Sequence, residues 1–531
     1  MDRISQLPES IMQQILFRLP AQDAVRMSFL STTWKSLWNS LPVSEFNFYM
    51  ESEDGLHLKR KRSEEESVTS VDESLRVLHQ HEDQKRIINF RLRGTLHKKE
   101  QASDIDRWIK LVIKHYVQVL ELDINKLFNS IDKLIPRYSF PPASSDLGSL
   151  VVLRLNSYCD ISKEALKQEG MRFSCLKELS LSNVDLNGLT NELLSRCPSI
   201  ENLNFKLCKN LKDLRLCGFS KLKNVYLATI RAHSYKIEAS NLQTLRYYNF
   251  LPQKSHLDLE AINCSNLKEL IMEIPSGEIS LQYIETLLLK FPFLEKINLS
   301  VSYKSTKLKI LSHQLKALTL NFQDDTMIKK ISIKTPNLVS YKYIGHEFPL
   351  SFSLNSMKLE KVDLTVKPRS AIGTSWFLHL QEYLGKFTPK QGLSLTVFSP
   401  PVIRFAREEL REETSSPVSK IKYLRVCLIR SSIDHTALID GLLWICRPIT
   451  LYIFSVEKNL AIKDLYKKLM SYGETNLLCC KDNLIKCWQH DLKSVKIEGF
   501  DGIKDGRRVI GREGLARRGL LRNLEEVSTI F

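Results

Sequence analysis

Long apolar runs are missing from this chain of 531 residues. The longest, Thr436 to Val456, is interrupted by Asp440, Arg447 and Pro448, and it reads as a buried helix, a turn and a strand rather than a membrane span. No membrane partner is expected. The amino end has no cationic segment leading into an apolar one, which predicts no secretory signal. A disulfide framework is missing too. The eleven cysteines are odd in number and form no C-x-x-C pair, so reduced thiols in the nucleus or cytoplasm are expected. Cys479, Cys480, Cys487 and His490 come nearest to a metal set, but two adjacent cysteines suit one ion poorly and no metal is predicted. H-E-x-x-H, G-x-S-x-G and the phosphate-binding G-x-x-x-x-G-K-[ST] are all absent, and the histidines are mostly dispersed. The sequence thus predicts no catalytic residue, no cofactor and no enzyme. Acidic residues are short as well, 60 against 77 basic ones, a net charge of +17. That surplus is spread along the chain without a nucleic-acid-binding fingerprint, so it reads as solvated lysine-rich faces, and nucleic acid is disfavoured as a partner.

What the chain does have is a recurring phrase: an apolar residue, two variable ones, an apolar one, a variable one, an apolar one. It runs through Val117-Leu120-Leu122, Leu150-Leu153-Leu155, Leu176-Leu179-Leu181, Ile200-Leu203-Phe205 and Leu222-Val225-Leu227. It continues as Leu242-Leu245-Tyr247, Leu267-Leu270-Met272, Leu294-Ile297-Leu299, Leu315-Leu318-Leu320, Leu338-Tyr341-Tyr343 and Leu359-Val362-Leu364. From Leu150 to Leu359 successive phrases begin 20 to 27 residues apart, which is leucine-rich-repeat spacing. The last two apolar residues point one way from a short parallel strand, and stacked coils share a continuous core. Leu211-Leu214-Leu216 falls midway between two phrases, so there the returning side of the coil is expected to be extended as well. Positions between the last two apolar residues should face the concave surface: Ser180, Asn204, Tyr226, Arg246, Ile271, Asn298, Thr319, Lys342 and Asp363, with Arg215 assigned to the opposite side or this one. Tyr226, Arg246 and Lys342 are the candidate target-binding residues, because aromatic and basic side chains dominate interface hot spots.

The first fifty residues differ in kind. Pro8 fits a first helical position, followed by Ile11, Ile15 and Leu19 with Met12 and Leu16 widening the stripe, and Pro20 closes the helix. A second short helix holds Ala24, Val25, Phe29 and Leu30; Ser31 can cap a third that carries Trp34, Leu37 and Trp38. So short a segment cannot bury this much apolar surface alone. Its residues, including Asp2, Ile4, Ser5, Leu7, Pro8, Ile15, Leu16, Leu19, Pro20, Ala24, Val25, Leu30, Ser31, Trp34, Leu37 and Trp38, resemble the plant F-box, although Thr32 and Thr33 stand where that family usually has a basic residue. The resemblance implies docking onto the Skp-type adaptor of a cullin–RING ubiquitin ligase.

Around these parts the chain divides as follows. Residues 1–50 are the F-box. Residues 51–86 read as a charged linker or loop, and its tetrad Lys59, Arg60, Lys61 and Arg62 is a candidate nuclear import signal. Residues 87–366 are the repeat solenoid, with Ile87 to Leu92 a strand and Asp104 to His115 an amphipathic helix burying Ile105, Trp108, Ile109 and Val112. Residues 367–420 are an irregular insertion with a helix from Trp376 to Leu384. Residues 421–502 repeat the phrase at Ile421-Leu424-Val426 and Leu492-Val495-Ile497 and look like the FBD-type C-terminal region of plant F-box/leucine-rich-repeat proteins. Residues 503–531, rich in arginine and glycine, are expected to be a basic, disordered tail, because such glycine spacing disfavours a packed helix. The fold class is therefore α/β: a small three-helix F-box, then an irregular leucine-rich-repeat solenoid with a parallel sheet on its concave face. The expected role is the substrate-recognition subunit of a ubiquitin ligase, with Skp-type adaptor, cullin and RING subunits and an unknown protein substrate as partners. The alternative is a basic repeat protein that binds nucleic acid or a phosphorylated or small-molecule ligand.

Overall fold

A computed structural model describes residues 7–19, 27, 30–40, 45–49, 71–72, 88–96, 100–126, 137–141, 147–168, 172–230, 232, 234–250, 262–279, 281–303, 307–322, 329–388, 390, 392–404, 419–428, 435–455, 491–498, 503–505, 508–510 and 526–530. The chain forms two compact units, Met1–Leu267 and Lys268–Phe531, so the division falls inside the repeat array.

In the first unit, helix α1 (Glu9–Arg18) packs against helix α2 (Thr32–Ser40). Pro8 caps α1 instead of opening it; its carbonyl accepts from the N–H groups of Ile11 and Met12 at 2.9 and 3.1 Å. Ser31 caps α2 as the sequence predicts, its hydroxyl accepting from the Trp34 N–H at 3.2 Å. Most of the second F-box helix, Val25 included, lies outside the described residues.

The main sheet of this unit is parallel throughout. It runs β1 (Glu45–Tyr49), β2 (Asn89–Leu96), β3 (Val119–Lys126), β4 (Val152–Ser157), β5 (Glu178–Ser182), β6 (Asn202–Lys206), β7 (Asn224–Ala228) and β8 (Thr244–Tyr248), each strand paired in register with the next. The alternation of the phrase places Leu153, Leu155, Leu179, Leu181, Leu203, Phe205, Val225, Leu227, Leu245 and Tyr247 on one buried face. The leading phrase residue plugs the turn: Leu150, Leu176, Ile200, Leu222 and Leu242 are all buried. Helix α3 (Glu100–Lys114) covers β2 and buries Ile105, Trp108, Ile109 and Val112. The returning side is extended at Asp213–Cys217, which pairs parallel with Ser234–Glu238 and through it with Ile262–Asn263. Arg215 therefore belongs to the returning sheet. Turns leaving the strands hold Asn183, Asn187 and Asn210 at φ of 57°, 51° and 54°, a left-handed conformation that asparagine tolerates best among residues with a side chain.

The stretch 51–86 is not a simple linker, because Val71 and Asp72 are fastened to α3. Val71 is fully buried, and the Asp72 carboxylate accepts from Trp108 Nε1 at 2.7 Å and from Arg107 at 2.7 and 2.8 Å. One carboxylate satisfying an indole N–H and a guanidinium fixes that point of an otherwise polar segment.

In the second unit the parallel ladder is β9 (Glu269–Ile279), β10 (Lys296–Tyr303), β11 (Ala317–Phe322), β12 (Ser340–Gly345), β13 (Lys361–Val366), β14 (Gly392–Phe398), β15 (Ser419–Leu428), β16 (Cys446–Ser455), β17 (Ser494–Glu498) and β18 (Glu526–Ile530). Helices α4 (Leu281–Lys290), α5 (Thr374–Leu384) and α6 (His435–Ile445) lie on returning segments, as do the parallel strands Lys307–Leu311, Lys330–Lys334 and Ser351–Asn355.

Three expectations need correction here. In the expected irregular insertion the described residues up to 404 are regular: α5 and β14 complete another coil, and β14 pairs with β13 and β15. The phrase misses it because Lys390 stands where the leading apolar residue belongs, although Leu393, Leu395 and Val397 alternate correctly and are buried. The turn expected at Arg447-Pro448 is absent, since β16 begins directly after α6. The tail also carries extended structure. Ile503–Asp505 pairs antiparallel with Arg508–Ile510, and β18 pairs parallel with β17; the glycines that disfavour a helix leave extended pairing open.

Candidate functional site

Two surfaces carry the residues that the sequence singles out. The first is the F-box. Met12, Leu16, Trp34 and Leu37 are its buried core, with Trp34 only 1% exposed. Ile15 and Leu19 are half-buried, as are Leu7 and Ser31, while Pro8 is exposed. Ile11 remains 44% exposed and Leu30 67% exposed. The F-box residues singled out in the sequence therefore separate into those that close the helix pair and those that leave apolar surface in water. Pro20, Val25 and the side chain of Trp38 lie outside what is described, as does the tetrad Lys59–Arg62.

The second surface is the outward face of each sheet. In the first unit Asn47, Arg91, Glu121, Arg154, Ser180, Asn204, Tyr226 and Arg246 form one row across consecutive strands. Glu121 is only 8% exposed and is surrounded by guanidinium groups: Arg91 at 3.3 Å, Arg93 at 3.4 Å and Arg154 at 3.7 Å. Arg154 also grips Glu178 at 2.9 Å, and Arg93 reaches Asp123 at 3.8 Å. Farther along, Glu201 accepts from Lys223 at 2.7 Å, and this hydrogen bond holds its carboxyl below the usual range. The charges here answer one another inside the sheet. Tyr226 and Arg246 are direct register partners, and the Tyr226 ring lies 5.2 Å from that of Tyr248.

Lys342 belongs to the second unit, in a row that reads Ile271, Asn298, Thr319, Lys342 and Asp363. The structure thus places two of the three target-binding candidates side by side and the third in the other unit. Acid–base pairing recurs on this sheet too: Lys296 with Glu269 at 3.0 Å, Lys316 with Glu295 at 2.8 Å, Lys361 with Asp363 at 3.1 Å. Toward the C-terminal strands the character changes. Lys367 sits over Phe398 at 5.2 Å, Lys422 over Tyr423 at 5.3 Å, and Arg425 over Tyr452 at 4.6 Å. These residues lie outside the leucine phrase, at the alternate positions of Tyr423-Leu424-Arg425-Val426 and Leu451-Tyr452-Ile453-Phe454. That alternation was the available signal.

Among the described residues no cluster of histidine, cysteine and carboxylate side chains could hold a metal ion, and no helix is long and apolar enough to cross a membrane. Cys479, Cys480, Cys487 and His490 fall outside those residues. The buried thiols are held protonated by desolvation, those of Cys197 and Cys208 pushed up to about 12.

Comparison with known proteins agrees with this geometry. Residues 4–45 match the family model of the F-box domain, and residues 105–270 match the one described as FBD-associated F-box protein At5g56370, LRR repeats. The chain carries an F-box and leucine-rich repeats of the kind found in FBD-associated F-box proteins. Its relatives in Arabidopsis thaliana include the F-box/LRR-repeat protein At1g55660, 34% identical over 38% of this chain and 51% of that one. The putative F-box/FBD/LRR-repeat protein At4g03220 is 27% identical over 54% of each. The F-box/LRR-repeat protein At3g03360 is 24% identical over 70% of this chain and 72% of its own length. The matched part spans about half the length of the first two.

Proposed function

We propose that this chain is the substrate-recognition subunit of an SCF-type cullin–RING ubiquitin ligase. Its F-box docks on the Skp-type adaptor, and its repeat sheets hold a protein target for ubiquitin transfer by the other subunits. The observation that carries this reading is that the F-box leaves Ile11 and Leu30 exposed while Met12, Leu16, Trp34 and Leu37 are buried. Such surface on a small helical module is a docking face waiting for a partner. The chain contributes position and effective concentration, not a catalytic group. It acts in the nucleus, the cytoplasm or both, with Lys59–Arg62 as the import tract.

The test is affinity capture from plant cell extract under proteasome inhibition. The unaltered chain is expected to bring down adaptor and cullin, and a chain with Ile11→Asp and Leu30→Asp is not. Equal recovery with both chains overturns the assignment. Trp34 is a poor choice for this experiment, because its burial makes any substitution a test of folding.

A further inference from the structure

On β14, β15 and β16 the cations that rest on aromatic rings have no carboxylate partner among the described residues, whereas Lys420 and Arg447, at the starts of β15 and β16, share Asp491 at 2.9 and 3.8 Å. Phe398, Cys427 and Phe454 form one row across these strands, with Lys367 leaning onto Phe398 from the end of β13. Thr396, Arg425 and Tyr452 form the next row, and Ser394, Tyr423 and Thr450 the one after. Among the described residues, Lys367, Lys422 and Arg425 rest on aromatic rings and make no ion pair. Earlier on the same sheet Lys296, Lys316 and Lys361 each have an acidic neighbour. The aromatic groups are not core residues left over, since Tyr423 is 46% and Phe454 37% exposed while Leu424, Val426, Leu451 and Ile453 behind them are buried.

Resting on the target-holding role proposed above, we infer that this face, centred on Arg425, Lys367, Tyr423 and Phe454, is the docking site for an acidic segment of a polypeptide target. The carboxylates of that segment pair with the Arg425 and Lys367 head groups, and its apolar side chains lie against Tyr423 and Phe454. Charge complementarity decides the sign of the partner: among the described residues three cations rest on rings here against one carboxylate residue in direct register, Glu498 beside Phe454, and a surface with that surplus gains from carboxylates and repels a basic chain. Ring geometry decides its class. Single-stranded nucleic acid binds such sheets by stacking bases on open aromatic faces. Here Phe398, Tyr423 and Tyr452 each already carry a cation, and of the four rings only Phe454 carries none among the described residues, so no run of open rings is left for successive bases to stack on. Arg425 and Lys367 both lie near enough to the Cys427 thiol to oppose the rise in its pKa caused by burial, so their fields overlap at the centre of the patch.

The experiment uses the full chain purified with its adaptor. A fluorescent glutamate–tyrosine copolymer is titrated against the unaltered chain and against the double variant Lys367→Glu, Arg425→Glu, with lysine–tyrosine copolymer and oligo(dT) as comparison ligands. Both substituted residues project from the sheet, so the variant is expected to keep its circular dichroism and its adaptor capture. That second readout separates failure of this inference from failure of the ligase reading. The expected result is binding of the acidic copolymer alone, weakened by salt and by roughly tenfold or more in the double variant. Retained affinity in the variant overturns the inference. So does tighter binding of oligo(dT) that the variant abolishes, which assigns the face to nucleic acid.

Discussion

Replacing both Ile11 and Leu30 with serine removes the apolar surface on which adaptor docking is argued to depend. Complete burial of an isoleucine or leucine side chain is worth about 1.5–3 kcal/mol. The folded chain leaves 44% of Ile11 and 67% of Leu30 exposed. Docking that covers both therefore recovers about 2–3 kcal/mol, which corresponds to roughly a 30- to 150-fold change in dissociation constant. The part of each side chain that is already buried is lost as well, so a melting temperature lower by a few degrees is expected alongside the weaker binding. The assay is calorimetric or surface-based titration of the purified adaptor against both chains, with thermal melts run in parallel. An affinity within about twofold of the original, in a chain that melts normally, refutes the argument. A lower melting temperature with unchanged affinity refutes it also, since the two residues then act only through the stability of the fold.

Ser31→Ala removes the hydroxyl that receives the Trp34 N–H, so α2 is expected to lose about 1 kcal/mol, read as increased proteolysis of the F-box at fixed temperature. Glu121→Gln leaves three guanidinium groups around a neutral amide. The arginines are partly solvated, which screens them, so the loss is about 1–3 kcal/mol in urea unfolding and below the full cost of breaking a buried pair. An unaltered unfolding curve shows that the cluster contributes no stability. The Cys197 and Cys208 thiols sit at about 12 through burial, against an ordinary 9.0. The folded chain keeps protons that the unfolded chain releases, so this contribution is full below pH 9 and is lost as pH rises toward 12. A urea midpoint for the first unit that falls between about pH 8 and about pH 10, and falls less in the Cys197→Ala, Cys208→Ala variant, is the expected outcome.

Periodicity and punctuation in the sequence determined the repeat strands and the F-box ends. A phrase such as Leu176-Leu179-Leu181 has one low-energy arrangement, with alternate leucines on the buried face and the leading one in the turn, and the strand Glu178–Ser182 follows from it. Ser31 before a run carrying Trp34 and Leu37 likewise specified a capped helix through purely local hydrogen bonding. The coil at Thr374–Phe398 escaped because one lysine replaced a plug residue, and the anchoring of Asp72 escaped because its partners Arg107 and Trp108 are more than thirty residues away. Only the tertiary structure decided which outward residues meet. Strand register set Arg91, Glu121 and Arg154 into one ion-paired cluster and Arg425 beside Tyr452. Chain order fixes what each strand presents, but neighbours across a parallel sheet are separated by a whole coil, and their pairing is a property of stacking that no local pattern contains.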